Sequence, residues 1–269
     1  MKIAIVGKGG VGKTTISGFL ARAFAKRHYH VLAVDADPDA NLASALPLDK
    51  VQREQIIPLA LQKDKIKSII NPDDQLPQGL MLLNPDVSEL ADSLTVTWGG
   101  GNKLIVMGWH KGGGQGCYCE ENVVLQQLLS TVLTATQDVV LIDSEAGLEH
   151  LSRGTISPAD AVIAVIEPGL RSVETAFVSR KLCNELGIDH VYVILNGYET
   201  QAEISTVQNL LGDWKLLAAF PRSQEIRNAD LEGRVPKEDN ILLGVTNNVI
   251  DTLTTDIGGN YGTTKYKSN

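Results

Sequence analysis

The chain has 269 residues, of which 43% are hydrophobic and 21% are charged, and 24 basic against 32 acidic side chains leave a net charge of −8. This composition is that of a globular protein with a core of ordinary size. The acidic balance argues against a general nucleic-acid or anionic-membrane binder, since both functions normally need a positive face. We therefore expect neither nucleic acid nor membrane as a partner.

The N-terminal segment lacks the pattern of a signal peptide, and no apolar run reaches the length of a membrane-spanning helix. A cytoplasmic location is the resulting expectation. The three cysteines are an odd and low count, so a disulfide framework is not expected.

Short apolar runs alternate with helical patterns along the chain. In order, the sequence predicts strand Lys2–Val6, helix Thr14–Arg27, strand Val31–Asp35, one or two helices in Val51–Ile70, short strands Gly79–Leu83 and Lys103–Met107, helix Glu121–Thr136, strands Val139–Asp143 and Ala161–Ile166, helix Arg171–Leu186 and strand Val191–Leu195. Continuous Val/Ile/Leu strands between helices indicate an α/β fold with a doubly wound, mostly parallel sheet flanked by helices. We expect one domain over residues 1–257 and a flexible tail over 258–269.

The segment "GKGGVGKTT" (Gly7–Thr15) matches the phosphate-loop pattern G-x-x-x-x-G-K-[ST]. It follows a predicted strand and opens a predicted helix, which is the context of a P-loop NTPase. Lys13 is expected to contact the β- and γ-phosphates, and the Thr14 hydroxyl to ligate Mg²⁺. The residues expected to cradle the nucleotide are Gly9, Gly10, Val11, Gly12, Lys13, Thr14 and Thr15.

Two aspartates end predicted strands at the edge of the sheet where ligands bind in open α/β folds. Asp35 opens "DADPDAN" and is expected to support the Mg²⁺ shell. Asp143 lies in "LIDSEAG", at a Walker-B-like position that holds Mg²⁺ through water. A strand-ending aspartate is also common as a helix cap or turn residue, and that alternative stays open here.

Lys8 adds a second lysine near the start of the phosphate loop. In this the chain resembles the deviant Walker A family, which includes MinD, ParA proteins, the nitrogenase iron protein and metal-insertion ATPases. The resemblance implies a homodimer in which Lys8 reaches the nucleotide of the other subunit and acts like an arginine finger. It also implies that Asp37, in the D-x-D pattern, orients the attacking water. A solvated surface lysine is the alternative for Lys8.

Base recognition is also taken from the family resemblance. Asn196, in "ILNGY", matches the asparagine that contacts adenine, and Pro221, in "FPRSQEI", matches a loop beside the base. The guanine signal N-K-x-D is absent, because Gly197 follows Asn196, so ATP and ADP are favoured over guanine nucleotides. An asparagine at a strand end is equally common as a turn residue.

Cys117 and Cys119 lie in "GQGCYCEEN", one residue apart. In an extended segment both side chains point to the same face, where two thiolates supply half of a tetrahedral metal site. A two-fold symmetric dimer would bring four thiolates around one metal ion. A redox pair and two small residues without a metal are the alternatives. The third cysteine, Cys183, is expected in the core.

The segments "GCYCEEN", "DSEAGLEHLSRGT" and "IEPGLRSVETA" narrow the resemblance to CooC-type ATPases. It implies a dimeric, ATP-hydrolysing metallochaperone that holds Ni²⁺ (or Zn²⁺) at Cys117 and Cys119 and assists maturation of carbon monoxide dehydrogenase. One alternative is an iron–sulfur-cluster ATPase or reductase like the nitrogenase iron protein, although Gly147–Thr155 lacks the cysteine of that protein. The other is a ParA/MinD-like positioning ATPase, although "NVIDTLTTDIGGN" (Asn248–Asn260) is acidic and polar and the terminal lysines lie in a glycine-rich stretch, unlike a basic amphipathic membrane helix.

Overall fold

A computed structural model of the chain describes residues 1–37, 39–71, 76, 94–108, 138–144 and 159–258. These residues build an eight-stranded sheet in the order β3-β4-β2-β5-β1-β6-β7-β8, in which only the β3–β4 pair is antiparallel. The strands are β1 (Lys2–Val6), β2 (Val31–Ala36), β3 (Val96–Trp98), β4 (Asn102–Val106), β5 (Val139–Ser144), β6 (Ala161–Ile166), β7 (His190–Tyr198) and β8 (Leu216–Pro221).

Helices cover both faces of this sheet. They are α1 (Lys13–Lys26), α2 (Lys50–Glu54), α3 (Lys63–Ile70), α4 (Leu170–Glu185), α5 (Gln201–Leu211), α6 (Gln224–Glu232) and α7 (Asn240–Ile257), with 3₁₀ turns at Leu42–Ala45 and Leu59–Leu61. Successive side chains of a strand point to opposite faces. Ile3 and Ile5 of β1 therefore pack with α1 and α7, whereas Ala4 and Val6 pack with α4 and α5.

The expected fold class is confirmed. The five buried strands form as predicted, β7 extends further at both ends, and α1 and α4 each begin one residue earlier than expected. The irregular region 51–70 resolves into two helices, α2 and α3. Strands β3 and β8 and helices α5, α6 and α7 were not predicted. The expected strand Gly79–Leu83, the expected helix Glu121–Thr136 and residues 259–269 of the expected tail lie outside the described residues.

Among the helices that the structure describes, none combines the length and the apolar character needed to cross a membrane.

The first helix packs tightly on the turn Leu42–Ala45, which follows the loop that carries Asp37. A Cβ atom at Gly18 would lie 2.5 Å from the Cβ atom of Ala45 and 2.9 Å from its carbonyl oxygen. Arg22, one turn further along α1, donates from Nη1 to the same carbonyl oxygen. Glycine at position 18 thus sets how closely this turn approaches the helix that begins at the phosphate loop.

We expect Gly18→Ala to lower the free energy of unfolding by about 1–2 kcal/mol, although alanine is the better helix former. The matched control is Gly244→Ala in α7, where an added Cβ meets no atom within 4 Å. That variant should gain about 0.5–1 kcal/mol from helix propensity alone. Urea denaturation of both variants measures the difference, and a stabilised Gly18→Ala protein would contradict the close packing.

Candidate nucleotide-binding site

The phosphate loop joins β1 to α1 at the carboxyl edge of the sheet. Gly7 has φ +148°, and a Cβ atom there would lie 2.3 Å from the Val165 carbonyl oxygen of β6. Gly12, the N-cap of α1, has φ +90°. Both positions need glycine because their φ angles are positive, and Gly7 needs it also because the backbone of β6 lies so close. The loop is therefore held against β6 before it turns into the helix.

The two lysines of the loop lie in different surroundings. Lys13 is buried at 5% exposure, and its Nζ lies 3.3 Å from the carbonyl oxygen of Lys8. The Lys13 side chain thus spans its own loop. Lys8 is exposed, so its side chain is accessible to another molecule. Its action on a partner's nucleotide stays a prediction.

Asp35 and Asp143 form a pair of buried carboxylates beneath the loop. They are register partners on the adjacent strands β2 and β5, and both are fully buried. Burial raises the pKa of Asp35 well above its usual range, and the neighbouring Asp143 raises it further. Burial also raises the pKa of Asp143 to about 6, against the opposing effect of hydrogen bonds from Thr14 and Ser17. Ionisation of these two carboxylates therefore costs free energy in the folded chain. Carboxylates with such raised pKa values are common at functional sites.

The two carboxylate oxygens of Asp143 differ in their hydrogen bonds. Ser17 donates its Oγ proton to Oδ1 over 3.1 Å. No direct hydrogen bond to the buried Oδ2 forms among the described residues, although Thr14 lies close enough to lower the pKa of the carboxyl. Such an orphaned oxygen fits a bound cation or its water. Within the described residues no three His, Cys, Asp or Glu side chains gather into a metal site. Mg²⁺ in nucleotide sites is usually bound by one or two carboxylates and by the substrate phosphates.

Both carboxylate oxygens of Asp35 accept hydrogen bonds from the loop that follows β2. Oδ1 accepts from the Asp37 amide at 3.3 Å, and Oδ2 accepts from the Leu42 amide at 2.8 Å. These bonds tie the two ends of the loop that carries Asp37 to the end of β2. Asp37 itself is half-buried, and its Oδ1 accepts from the Asp39 amide at 3.0 Å. Asp35 therefore shapes this loop, while its support of Mg²⁺ and the water-orienting role of Asp37 stay predictions.

The residues expected near the base lie on the neighbouring strands. Asn196 belongs to β7, and its Nδ2 donates to the Val11 carbonyl oxygen at 2.9 Å. Pro221 is the last residue of β8 and lines a cavity of about 400 Å³ together with Tyr198 and Arg222. This cavity opens at the carboxyl ends of two parallel strands, the edge at which ligands bind in such sheets.

The predicted metal ligands Cys117 and Cys119 lie outside the described residues. Cys183 is fully buried in α4, as predicted. Burial raises the pKa of its thiol to about 11, which keeps this cysteine protonated and unreactive at neutral pH.

Sequence analysis did not identify Ser17 as part of the site. The spacing could have identified it, because Ser17 follows Thr14 by three residues and residues three apart lie on the same face of a helix. It also did not assign the contact of Asn196 with the phosphate loop.

This is the site of a P-loop ATPase: a phosphate loop joins a strand to a helix, and a buried aspartate near the end of another strand lies beneath the loop. Residues 1–180 match the family described as AAA domain. The chain is 37% identical over 233 residues to the carbon monoxide dehydrogenase accessory protein CooC of Rhodospirillum rubrum, an alignment that covers 87% of this chain and 88% of that protein. It is 40% identical to an uncharacterised ATP-binding protein of Methanocaldococcus jannaschii, with 87% and 90% coverage. The chain belongs to the deviant Walker A ATPases of this AAA-domain family, and within them to the CooC type.

Solved structures show the same fold at low sequence identity. The cell division protein MinD of Aquifex aeolicus matches with a TM-score of 0.67 at 19% identity, covering 94% of this chain and 97% of that one. A putative plasmid partition protein of Borrelia burgdorferi bound to AMPPNP matches with a TM-score of 0.68 at 18% identity, covering 95% and 99%. At this identity, the similarity establishes the fold alone.

Proposed function

We propose that this chain is a dimeric metallochaperone driven by ATP hydrolysis, which binds a metal ion through Cys117 and Cys119 and assists the maturation of carbon monoxide dehydrogenase. The observation that carries the proposal is the 37% identity over 87% of the chain to a protein named for that accessory role. A MinD protein of Thermotoga maritima is only 26% identical over 82% of the chain. The sequence relationship thus favours the accessory role over cell-division positioning.

The nucleotide half of the proposal rests on the phosphate loop. Its backbone amides and Lys13 would hold the phosphates, and the Lys13 amine would leave the Lys8 carbonyl to do so. Thr14 and Asp143 would hold Mg²⁺, which when bound supplies neutralising charge at the phosphates. The orphaned Oδ2 of Asp143 supports this placement. Asp37 would orient the attacking water, on a loop that Asp35 closes.

The metal half of the proposal rests on the paired cysteines. Two thiolates fill only half of a tetrahedral site, and a symmetric partner would supply the other two. The exposed Lys8 calls for the same partner, because a lysine that acts across an interface must be free of its own loop. Nucleotide closing the dimer through Lys8 would change the separation of the two cysteine pairs. ATP and metal would then be thermodynamically coupled, each altering the affinity of the other.

The metal assignment is tested by titrating Ni²⁺ and Zn²⁺ into the anaerobically prepared protein and into a Cys117→Ser/Cys119→Ser double variant. We expect the wild type to bind about one ion per two chains and the double variant to lose the site. The matched control is Cys183→Ala, which removes the buried third thiol and should keep the wild-type stoichiometry. Equal binding by the wild type and the double variant would contradict the proposal.

The same preparation separates the competing functions. A brown protein containing iron and acid-labile sulfide would favour an electron-transfer reductase, since thiolates also hold iron–sulfur clusters. Tight ATP-dependent sedimentation with liposomes or DNA would favour a positioning ATPase. The metallochaperone predicts a preparation without iron or acid-labile sulfide that does not sediment with liposomes or DNA in an ATP-dependent way.

A further inference from the structure

The side-chain amide of Asn196 is packed directly against the phosphate loop. Asn196 lies on β7, two strands away from β1 in the sheet. Its Nδ2 donates to the carbonyl oxygen of Val11 at 2.9 Å, and Val11 is 2% exposed. A Cβ atom at Gly12 would lie 2.2 Å from the same nitrogen. The loop therefore needs glycine at position 12 partly to admit the Asn196 amide.

The part of the loop that receives this bond has little stiffness of its own. Gly10 and Gly12 flank Val11 with φ values of +83° and +90°, which glycine adopts with more backbone freedom than any other residue. Contacts outside the two glycines therefore set the direction of the Val11 carbonyl. The Val11 amide donates to the Lys8 carbonyl oxygen at 3.4 Å, and Asn196, itself fixed in a paired strand, holds the Val11 carbonyl oxygen directly.

Among the described residues, one other side chain, that of Lys13, bonds to the loop backbone. Lys13 Nζ lies 3.3 Å from the Lys8 carbonyl, yet this amine is the group that moves to the phosphates when nucleotide binds. The bond from Asn196 uses no group that the phosphates require. Nucleotide binding therefore does not require this bond to break.

We propose that Asn196 is a positioning residue for the phosphates: its amide fixes the Val11 carbonyl and so aims the backbone amides of the loop. Its contribution then does not depend on the nucleobase. A residue that only reads adenine would behave differently, because it would contribute nothing to a ligand without a base. This inference concerns the ATPase site and is independent of the proposed metal site.

Inorganic tripolyphosphate separates the two roles, because it carries the phosphate chain of ATP without ribose or base. Calorimetric titration would measure Mg²⁺–ATP and Mg²⁺–tripolyphosphate binding to wild type, Asn196→Ala and Asn196→Ser, both variants being too short to reach Val11. We expect each variant to bind both ligands about tenfold more weakly. The control is Asn248→Ala, on the exposed face of α7, which should leave both affinities unchanged.

Unchanged tripolyphosphate binding in Asn196→Ala would overturn the proposal, and a loss confined to ATP would assign Asn196 to the base. Hydrogen exchange of the nucleotide-free protein gives a second, ligand-free measurement. The amides of Gly12, Lys13 and Thr14 should exchange faster in Asn196→Ala and Asn196→Ser while those of β1 keep their protection. Equal exchange at these loop amides in wild type and variants would also overturn it.

Discussion

A mixture of the Lys8→Ala and Asp37→Ala variants will hydrolyse ATP, although each variant alone will not. If Lys8 acts on the partner's nucleotide, the site on a Lys8→Ala subunit keeps its own Asp37 and receives Lys8 from an Asp37→Ala partner. That site is complete, whereas the other site of the mixed dimer lacks both groups. With random exchange, half of the dimers are mixed and half of their sites work, so activity should reach about a quarter of wild type. Each single variant should lose about a thousandfold in kcat.

The exposure of Lys8 is the structural basis for this expectation. A Lys8→Ala subunit mixed with a Lys8→Ala/Asp37→Ala subunit is the control, because no arrangement of these two chains completes a site. Subunit exchange is checked by size-exclusion chromatography of differently tagged chains. Mixed dimers that form and remain inactive would show that Lys8 acts within its own subunit or not at all.

Asp143→Asn will abolish most hydrolysis and, in the absence of Mg²⁺ and nucleotide, will stabilise the protein. The catalytic loss, about a hundredfold or more, follows from removing the charge that holds Mg²⁺. The stability gain follows from the burial of the Asp143 carboxylate, which raises its pKa to about 6. A group whose native pKa is raised prefers its protonated form, so its ionised form lowers the stability of the folded chain.

The sign of the pH dependence follows from this shift. The ionised Asp143 lowers the stability of the wild type fully above its native pKa of about 6, and not at all well below the ordinary aspartate pKa of 3.8. The stability difference between Asp143→Asn and wild type should therefore grow from near zero at low pH to about 2–3 kcal/mol at pH 8. Thermal denaturation in a chelating buffer at pH 4 and pH 8 measures it. An Asp143→Asn protein less stable than wild type at pH 8 would contradict this view of the buried pair.

Local patterns sufficed to predict the parts of the site that are close in sequence. The phosphate loop is recognisable because its glycines and Lys13 must stand at fixed spacing between a strand and a helix. The buried strands around it are recognisable because parallel strands covered on both faces are apolar throughout. Strand β8 is an edge strand with partly exposed small residues, so it lacked that signal.

Contacts between distant segments were beyond such patterns. The bond from Asn196 to Val11 joins residues 185 positions apart, and it depends on the order of strands in the sheet. The contact of Asn196 with the base, which the family resemblance implies, stays a prediction, and the structure adds the bond from its amide to the loop. The two bonds that Asp35 makes to its own loop depend likewise on a loop conformation that composition does not specify.

The central claim, that nucleotide controls a metal site shared by two subunits, is tested most directly by metal content per dimer. Anaerobically prepared protein would be equilibrated with limiting Ni²⁺ without nucleotide, with ADP and with ATP, using Asp37→Ala to prevent turnover. We predict about one ion per dimer at saturation, and an apparent affinity that differs at least about fivefold between the ATP and ADP states. Binding that is one ion per chain, or identical in all three nucleotide states, would contradict the account.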